Sequence, residues 1–462
     1  MNWPLVFTAT LPENILLLGI LVLVGFEIVQ QRPRGAQALS LMAVIAAAGV
    51  AGWLGLGGYG GAPFPGHFSV NPSELLAKAA VLAMVIPVIL ICRDDFPDSG
   101  PFYPLLLSSL YGFCLLLSAD SFLTLFLGVE IMSLPVYVLV LLAFKRKESI
   151  EAALKYLVLG GTATAMLLMG ASLLYGSTGS MSLSAFAQAA GSADSLAITG
   201  VVLVFVALYI KAAIAPFHAW APDAYEAATL PVTAHMAVVI KAGVMLAALR
   251  TFGAAALSPV LAGVLILPPL MSIVWGNLAA MKQTGFRRMV AYSSIAHAGY
   301  LFYAFLGAGP GRFQAIVFYL LSYGVMNLLA FAAIPSCPDD ARRDSLDRLK
   351  GLYQRDPRAA LLIALAMLSL AGLPPLPGFI GKFLIFRNVM AAGHTLVAVL
   401  GLVGSYLGIY FYLRVIQFMF MSPSADASDA PVPRRPVVWA MLLCLAAAIS
   451  LAVFPGWFLG LV

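Results

Sequence analysis

The stretch Lys211-Ala-Ala-Ile-Ala-Pro-Phe-His-Ala-Trp-Ala-Pro-Asp-Ala-Tyr-Glu226, continued by Ala-Ala-Thr-Leu-Pro-Val-Thr-Ala-His-Met-Ala-Val-Val-Ile-Lys241, decides how the chain is read. An apolar run, Gly200–Ile210, meets a lysine, and Pro216 follows within the next turn and a half. A polar, aromatic turn then leads into a second apolar run that carries Lys241 in its interior. An ammonium at membrane depth costs about 2.5–3.5 kcal/mol on insertion scales, so two of them around a broken helix call for a functional explanation.

Outward from this stretch the surroundings are apolar. The chain of 462 residues is 62% hydrophobic and 10% charged, with a mean hydropathy of +0.97. Apolar runs able to cross roughly 30 Å of hydrocarbon recur from end to end. They are continuous and do not alternate residue by residue, which excludes a β-barrel. The reading is an all-α polytopic membrane protein with about fourteen transmembrane helices. Approximately, these cover 11–30, 37–58, 73–92, 101–118, 121–144, 150–175, 196–215, 230–250, 257–281, 290–308, 313–335, 358–392, 396–421 and 435–459. The first run lacks a basic n-region and a small-residue cleavage site, so it is expected to be a retained span.

The net charge of +6 is spread thinly over loops and speaks to topology, not to nucleic acid. Arg32 and Arg34, Arg93, Lys145–Lys147, Lys282 with Arg287 and Arg288, the cluster Arg342–Arg358, and Arg434 with Arg435 fall on alternate loops. The opposite loops hold little beyond Arg250 and Arg312. The positive-inside rule therefore puts both termini on the outer, periplasmic side of a bacterial plasma membrane. Residues 336–358 read as a solvated cytoplasmic linker with a short amphipathic helix, or as a docking surface for a partner subunit.

Span seven is interrupted near Pro216 and span twelve near Pro374, Pro375 and Pro377, five spans later, with Lys211 and Lys382 beside the two breaks. Paired discontinuous helices indicate an internal repeat and an ion pathway. Spans four to eight and nine to thirteen are the expected repeats, inverted because each has an odd number of spans. This divides the chain into an N-terminal three-helix segment (1–100), repeats over 101–250 and 251–421, and a C-terminal helix within 422–462.

The charges inside the spans are the candidate site. Glu130 in span five is either a counter-ion that changes partner during transport or a static buried pair. Lys155 either snorkels to the interface or joins the relay. Lys241 and Lys382 are too deep to snorkel easily. His218, His235 and His297 are either satisfied polar residues or proton carriers, since imidazole titrates near neutral pH. Tyr292, Ser293, Ser294, Ser322 and Tyr323 either line a hydrated path or bond neighbouring helices, while Glu27, Glu74, Lys78 and Arg414 read as interfacial or structural. The cysteines Cys92, Cys114, Cys337 and Cys444 form no metal-binding or disulfide pattern. No phosphate loop, zinc motif, nucleophile elbow or paired haem-ligand histidines is present in the sequence.

Five wordings carry a resemblance: Gly128–Leu139 (GVEIMSLPVYVL), Glu151–Gly160 (EAALKYLVLG), Pro216–Glu226 (PFHAWAPDAYE), Met289–Tyr300 (MVAYSSIAHAGY) and Ser369–Lys382 (SLAGLPPLPGFIGK). Together they resemble the proton-translocating, antiporter-like membrane subunits of respiratory complex I (NADH-quinone oxidoreductase), relatives of multisubunit cation/proton antiporters. The wording is most similar to the subunit N branch, called chain 14 or, in mitochondria, subunit 2. The chain departs from the family's usual turn at Ala227–Ala228 and at His235. The resemblance implies two inverted five-helix repeats with half-channels at the broken helices. It implies a relay of Glu130, Lys155, Lys211, Lys241 and Lys382, with His218, His235 and His297 as possible further carriers. It also implies no cofactor or metal on this chain, with FMN, iron–sulfur clusters and quinone in partner subunits. The expected partners are other complex I membrane subunits and lipids. A subunit of a cation/proton antiporter, of a related redox-driven ion pump, or a purely structural membrane subunit are the alternatives.

Overall fold

The computed structural model describes residues 3–30, 33–92, 101–143, 147–253, 258–307, 309, 311–335, 344–423 and 435–461. Of the loop charges used for orientation, Arg32, Arg93, Lys145, Arg146, Arg342, Arg343 and Arg434 lie outside the described residues, as do Cys337 and the linker up to residue 343.

Among the described residues the chain is helical apart from one hairpin, Gly61–Phe64 against Phe68–Val70, which the sequence reading did not anticipate. Its strands are too short to show an alternating pattern. Twelve described helices are long and apolar enough to span a membrane. The shorter apolar helix Phe102–Leu117 and the pair Pro357–Ala371 and Pro377–Ala391 bring the spans to the fourteen expected.

The two breaks share one design. Ser195–Ala212 stops at Ala213, whose φ of 60° is left-handed, and Pro357–Ala371 stops at Gly372, with φ of 89°. A cis proline follows at the same spacing in each, Ala215–Pro216 and Pro374–Pro375. Glycine adopts the left-handed region without penalty, whereas an L-residue such as Ala213 gives up roughly 1–2 kcal/mol. Beyond the first break the segment read as a polar turn is in fact a helix, Trp220–Ala227. Pro222 falls in its first turn, where a missing N–H costs nothing, and Asp223 complements the amino end of the helix dipole. The interruption after Ala212 is therefore followed by a second helix, as the one after Ala371 is.

The chain packs as two compact units. The first comprises Met1–Ala212 and Val239–Leu265 with the last two residues; the second comprises Ala213–Val238 and Ile266–Gly460. In the first unit Phe102–Leu117 and Phe122–Leu141 cross almost backbone to backbone. A Cβ on Gly112 would lie 2.2 Å from the Met132 nitrogen, and Ser109 Oγ donates to the Met132 carbonyl at 2.8 Å. Small residues and hydroxyls holding helices together are what a solvent without hydrophobic drive requires.

In the second unit the described part of the linker, residues 344–358, is tethered. Asp344 Oδ1 accepts from the Arg287 backbone N–H at 2.8 Å and from Arg287 Nε at 3.0 Å, while Leu346 N–H donates to the Thr284 carbonyl at 2.8 Å. Leu346, Leu349 and Leu352 are buried. Arg287 also donates through Nη1 to the Ala228 carbonyl at 2.5 Å, tying the linker to the end of the Trp220–Ala227 half-helix. Burial, not fully offset by the Arg287 guanidinium, holds the Asp344 carboxyl above its usual range.

Removing one member of such a pair leaves a buried charge alone, at a cost of about 3–5 kcal/mol. Arg287→Ala is therefore expected to lower the thermal midpoint of the purified assembly clearly. The loss should be larger at alkaline than at mildly acidic pH, because acid lets Asp344 take a proton and shed its unpaired charge. Melting curves across pH check both points.

Candidate functional site

Lys211 lies in the last turn of Ser195–Ala212, where an ammonium complements the carbonyl end of the helix. Its Nζ donates to Glu130 Oε1 at 2.9 Å and to Tyr137 Oη at 3.3 Å, and lies 3.5 Å from Ser133 Oγ. Glu130, Ser133 and Tyr137 recur at helical spacing on Phe122–Leu141, so one face presents all three. From the Lys147–Thr178 helix, Thr164 Oγ1 donates to the same Glu130 oxygen at 2.6 Å. Glycine at position 160 makes room for this arrangement, since a Cβ there would sit 2.1 Å from Tyr137 Oη. Lys211 is 4% exposed in its side chain and Glu130 17%, so the lysine is the more deeply buried member of the pair.

Lys241 begins the second part of the long buried helix Leu230–Phe252. The turn before it, Met236–Ile240, is π-helical, and His235 ends the first part. A wide turn of this kind is frequent at functional positions. Both side chains are buried, Lys241 within the first unit and His235 within the second.

The second unit holds another lysine and a histidine. Lys382 Nζ donates to the Leu370 and Ala371 carbonyls, both at 3.1 Å, and contacts Ser405 Oγ at 2.8 Å. It also lies 5.1 Å from the Tyr300 ring centroid, whose hydroxyl accepts from Asn277 Nδ2 at 3.2 Å. The two carbonyls are those that the break at Gly372 releases from the helix ladder. Gly372 has a second role here, because a Cβ would approach Lys382 Cδ to 3.0 Å. Among the described residues no carboxylate lies within ion-pair distance of Lys382, in contrast to Lys211. Counted from the left-handed residue of each break, Lys211 matches Leu370, and Lys382 lies on the opposite half-helix. His297 is held at both nitrogens: Nδ1 meets Tyr319 Oη at 2.7 Å and Nε2 meets Tyr412 Oη at 3.0 Å. Tyr412 Oη in turn meets Ser293 Oγ at 2.5 Å. Either imidazole tautomer is satisfied by such a pair of hydroxyls.

Other expected residues lie elsewhere. Lys155 is on the exposed face of its helix and pairs with Glu151 at 2.7 Å. His218 accepts from Trp275 Nε1 through Nε2 at 2.9 Å, on a partly open stretch between the half-helices. Arg414 donates to the Met281 and Gln283 carbonyls at 2.6 and 2.5 Å. Lys78, read as interfacial or structural, is fully buried. The sequence reading missed Tyr137, Thr164, Tyr319, Ser405 and Tyr412. Only Tyr137 had a local signal, its position two turns from Glu130 on the same face. Among the described residues no group of three or more His, Cys, Asp or Glu side chains is placed to hold a metal ion.

Comparison with known proteins agrees with this arrangement. Residues 119–408 match the family model described as "NADH:quinone oxidoreductase/Mrp antiporter, TM". The NADH-quinone oxidoreductase subunit N of Pelobacter propionicus is 38% identical over 445 residues, covering 96% of this chain and 95% of that protein. The protein of that name from Chloroflexus aggregans is 36% identical, covering 92% of this chain and 90% of its own length. A chain of the respiratory complex I structure from Thermus thermophilus superposes with a TM-score of 0.85 at 35% identity, covering 97% of this chain and 98% of that one. A chain of the Mrp complex from Dietzia shares the fold, with a TM-score of 0.79 at 22% identity and coverage of 98% and 96%. The chain belongs to the NADH-quinone oxidoreductase subunit N family.

Proposed function

We propose that this chain is a proton-translocating membrane-arm subunit of NADH-quinone oxidoreductase, carrying protons through buried lysines while electrons move in partner subunits. The observation that carries the reading is the buried Glu130–Lys211 pair at the end of an interrupted helix. Its partners are the other membrane subunits of the complex, and its place is the bacterial plasma membrane. Both termini face the periplasm in this reading, because the basic loops alternate. FMN, iron–sulfur clusters and quinone belong to partner subunits.

The chemistry follows from what each lysine can hold. While Glu130 Oε1 faces Lys211 Nζ, the ammonium is favoured; when the carboxylate turns to Thr164 alone, the buried ammonium loses its counter-charge and gives up a proton. Ser133 and Tyr137 keep hydrogen bonds to the lysine nitrogen during that exchange. Lys241, on the helix Leu230–Phe252, receives the proton, and His235 on the same helix is a further carrier. In repeat 251–421 the acceptors are Lys382 and His297. Lys382 is built to exist in both protonation states. As an ammonium its three hydrogens match Leu370 O, Ala371 O and Ser405 Oγ. As a neutral amine it keeps two hydrogens for the carbonyls, and its lone pair accepts from the Ser405 hydroxyl after one rotation. Lys155, exposed beside Glu151, and His218, bonded to Trp275, are the entry-side candidates.

Lys241→Ala is expected to abolish quinone-linked pumping in sealed inverted vesicles while the complex still assembles. Pumping at parental level in assembled complex would overturn the reading. A native assembly purified without flavin and iron–sulfur absorbance would overturn its redox half. Ser405→Ala removes one hydrogen bond from each state of Lys382 and should slow pumping by about tenfold, the equivalent of ~1.4 kcal/mol. Ser405→Thr, which keeps the hydroxyl, should restore most of the rate in the same assay.

A further inference from the structure

Two carboxylate–cation pairs occupy one corner of the first unit, and neither belongs to the relay above. Glu13, in the first turn of Leu11–Gln30, accepts from Lys78 Nζ, and Lys78 also donates to Ser118 Oγ at 2.6 Å. Lys78 is 0% exposed and Glu13 2%, so this pair is more deeply buried than Glu130–Lys211. One turn before Lys78, Glu74 accepts from Arg250 Nη1. Arg250 further donates to Ser69 Oγ through Nη2 at 2.5 Å and to the Ala119 carbonyl through Nε at 2.6 Å. The pairs are joined through the backbone, since Ser69 N–H donates to the Ser118 carbonyl at 2.9 Å.

Each glutamate uses one oxygen only. Among the described residues Glu13 Oε2 and Glu74 Oε2 are buried and have no hydrogen-bond partner. A buried carboxylate oxygen left in that state takes a proton or a water, because nothing else removes its desolvation penalty. Neither pair recovers its loss of hydration through protein contacts alone. The cations differ in kind. Arginine keeps its proton under all conditions, so Glu74–Arg250 is a fixed pair, whereas lysine and glutamate in Glu13–Lys78 both exchange protons. Tyr111 and Cys114, both on Phe102–Leu117, lie within electrostatic reach of Glu13.

We infer that Glu13 and Lys78 form a further proton-exchange site, placed at the outlet of the first unit. Arg250 lies nine residues beyond Lys241 on the same helix, about 13.5 Å along its axis. The ends that meet here (Leu11, Pro72, Leu117 and Phe252) are on the face that the loop charges assign to the outside. In the step itself Glu13 Oε2 accepts a proton arriving through water, the pair passes from neutral to one positive charge, and release to the outer face reverses it. Lys78 holds Glu13 Oε1 throughout, and Arg250 keeps Glu74 ionised beside the exit.

The inference rests on the pumping reading, and its test separates the two. The double variant Glu13→Gln, Lys78→Met leaves no uncompensated charge, so a purely structural pair would be dispensable in it. In the whole complex in sealed vesicles, quinone reduction and acidification are measured together, with Lys241→Ala in parallel. Assembled double variant with severalfold fewer protons per electron is the expected result. Parental proton yield in the double variant, with pumping lost in Lys241→Ala, overturns the outlet and keeps the pump; pumping retained in both overturns both. If the double variant fails to assemble, Glu13→Gln alone decides by the same ratio: a lowered proton yield supports the site and an unchanged one overturns it.

Discussion

An ammonium in hydrocarbon is stable only where the protein replaces the water it has lost, and the described architecture answers that requirement at Lys78, Lys211 and Lys382. Lys211 has a carboxylate, two hydroxyls and the carbonyl end of a half-helix. Lys382 has two freed carbonyls and a serine. Lys78 has a glutamate and a serine. The helix breaks follow from the same constraint. An uninterrupted helix keeps its carbonyls for its own ladder; an interrupted one releases them at membrane depth, where a cation can take them up.

The two breaks show how one device serves different chemistry. Each starts with a left-handed residue and continues into a second half-helix. At the first, the lysine sits on the incoming half and faces a titratable partner on another helix. At the second, the lysine sits on the outgoing half and returns to the end of the incoming one. A lysine held by a glutamate responds to movement of that glutamate. A lysine held by carbonyls and a hydroxyl keeps hydrogen-bond partners in either charge state.

Much of this was legible beforehand. Fourteen spans, two interruptions five spans apart and the membrane class followed from apolar runs and proline placement, which are properties of single segments. The pairing of Glu130 with Lys211 is reachable from the sequence because few carboxylates lie inside spans. The segment Trp220–Ala227 reads as a turn because its aromatic and polar composition lacks a clear period over eight residues, and it folds as a helix. Within the linker 336–358 the charges outnumber the leucines, and in its described part Leu346, Leu349 and Leu352 are the side chains that bury.

By itself, then, the amino-acid order determined where the chain crosses the membrane, where its helices break and which costly charges it carries inside. Those depend on local hydrophobicity and backbone chemistry. Tertiary structure decided what each charge faces. Thr164 reaches Glu130 from thirty-four residues away, Ser405 reaches Lys382 from twenty-three, and Glu13 meets Lys78 across sixty-five. Such partners are set by how helices lie against one another, through glycines that permit close crossing and through hydroxyls with no periodic signature. For the same reason Lys78, which the sequence marks as interfacial or structural, is fully buried against a glutamate sixty-five residues away, deeper than Lys211 or Lys155.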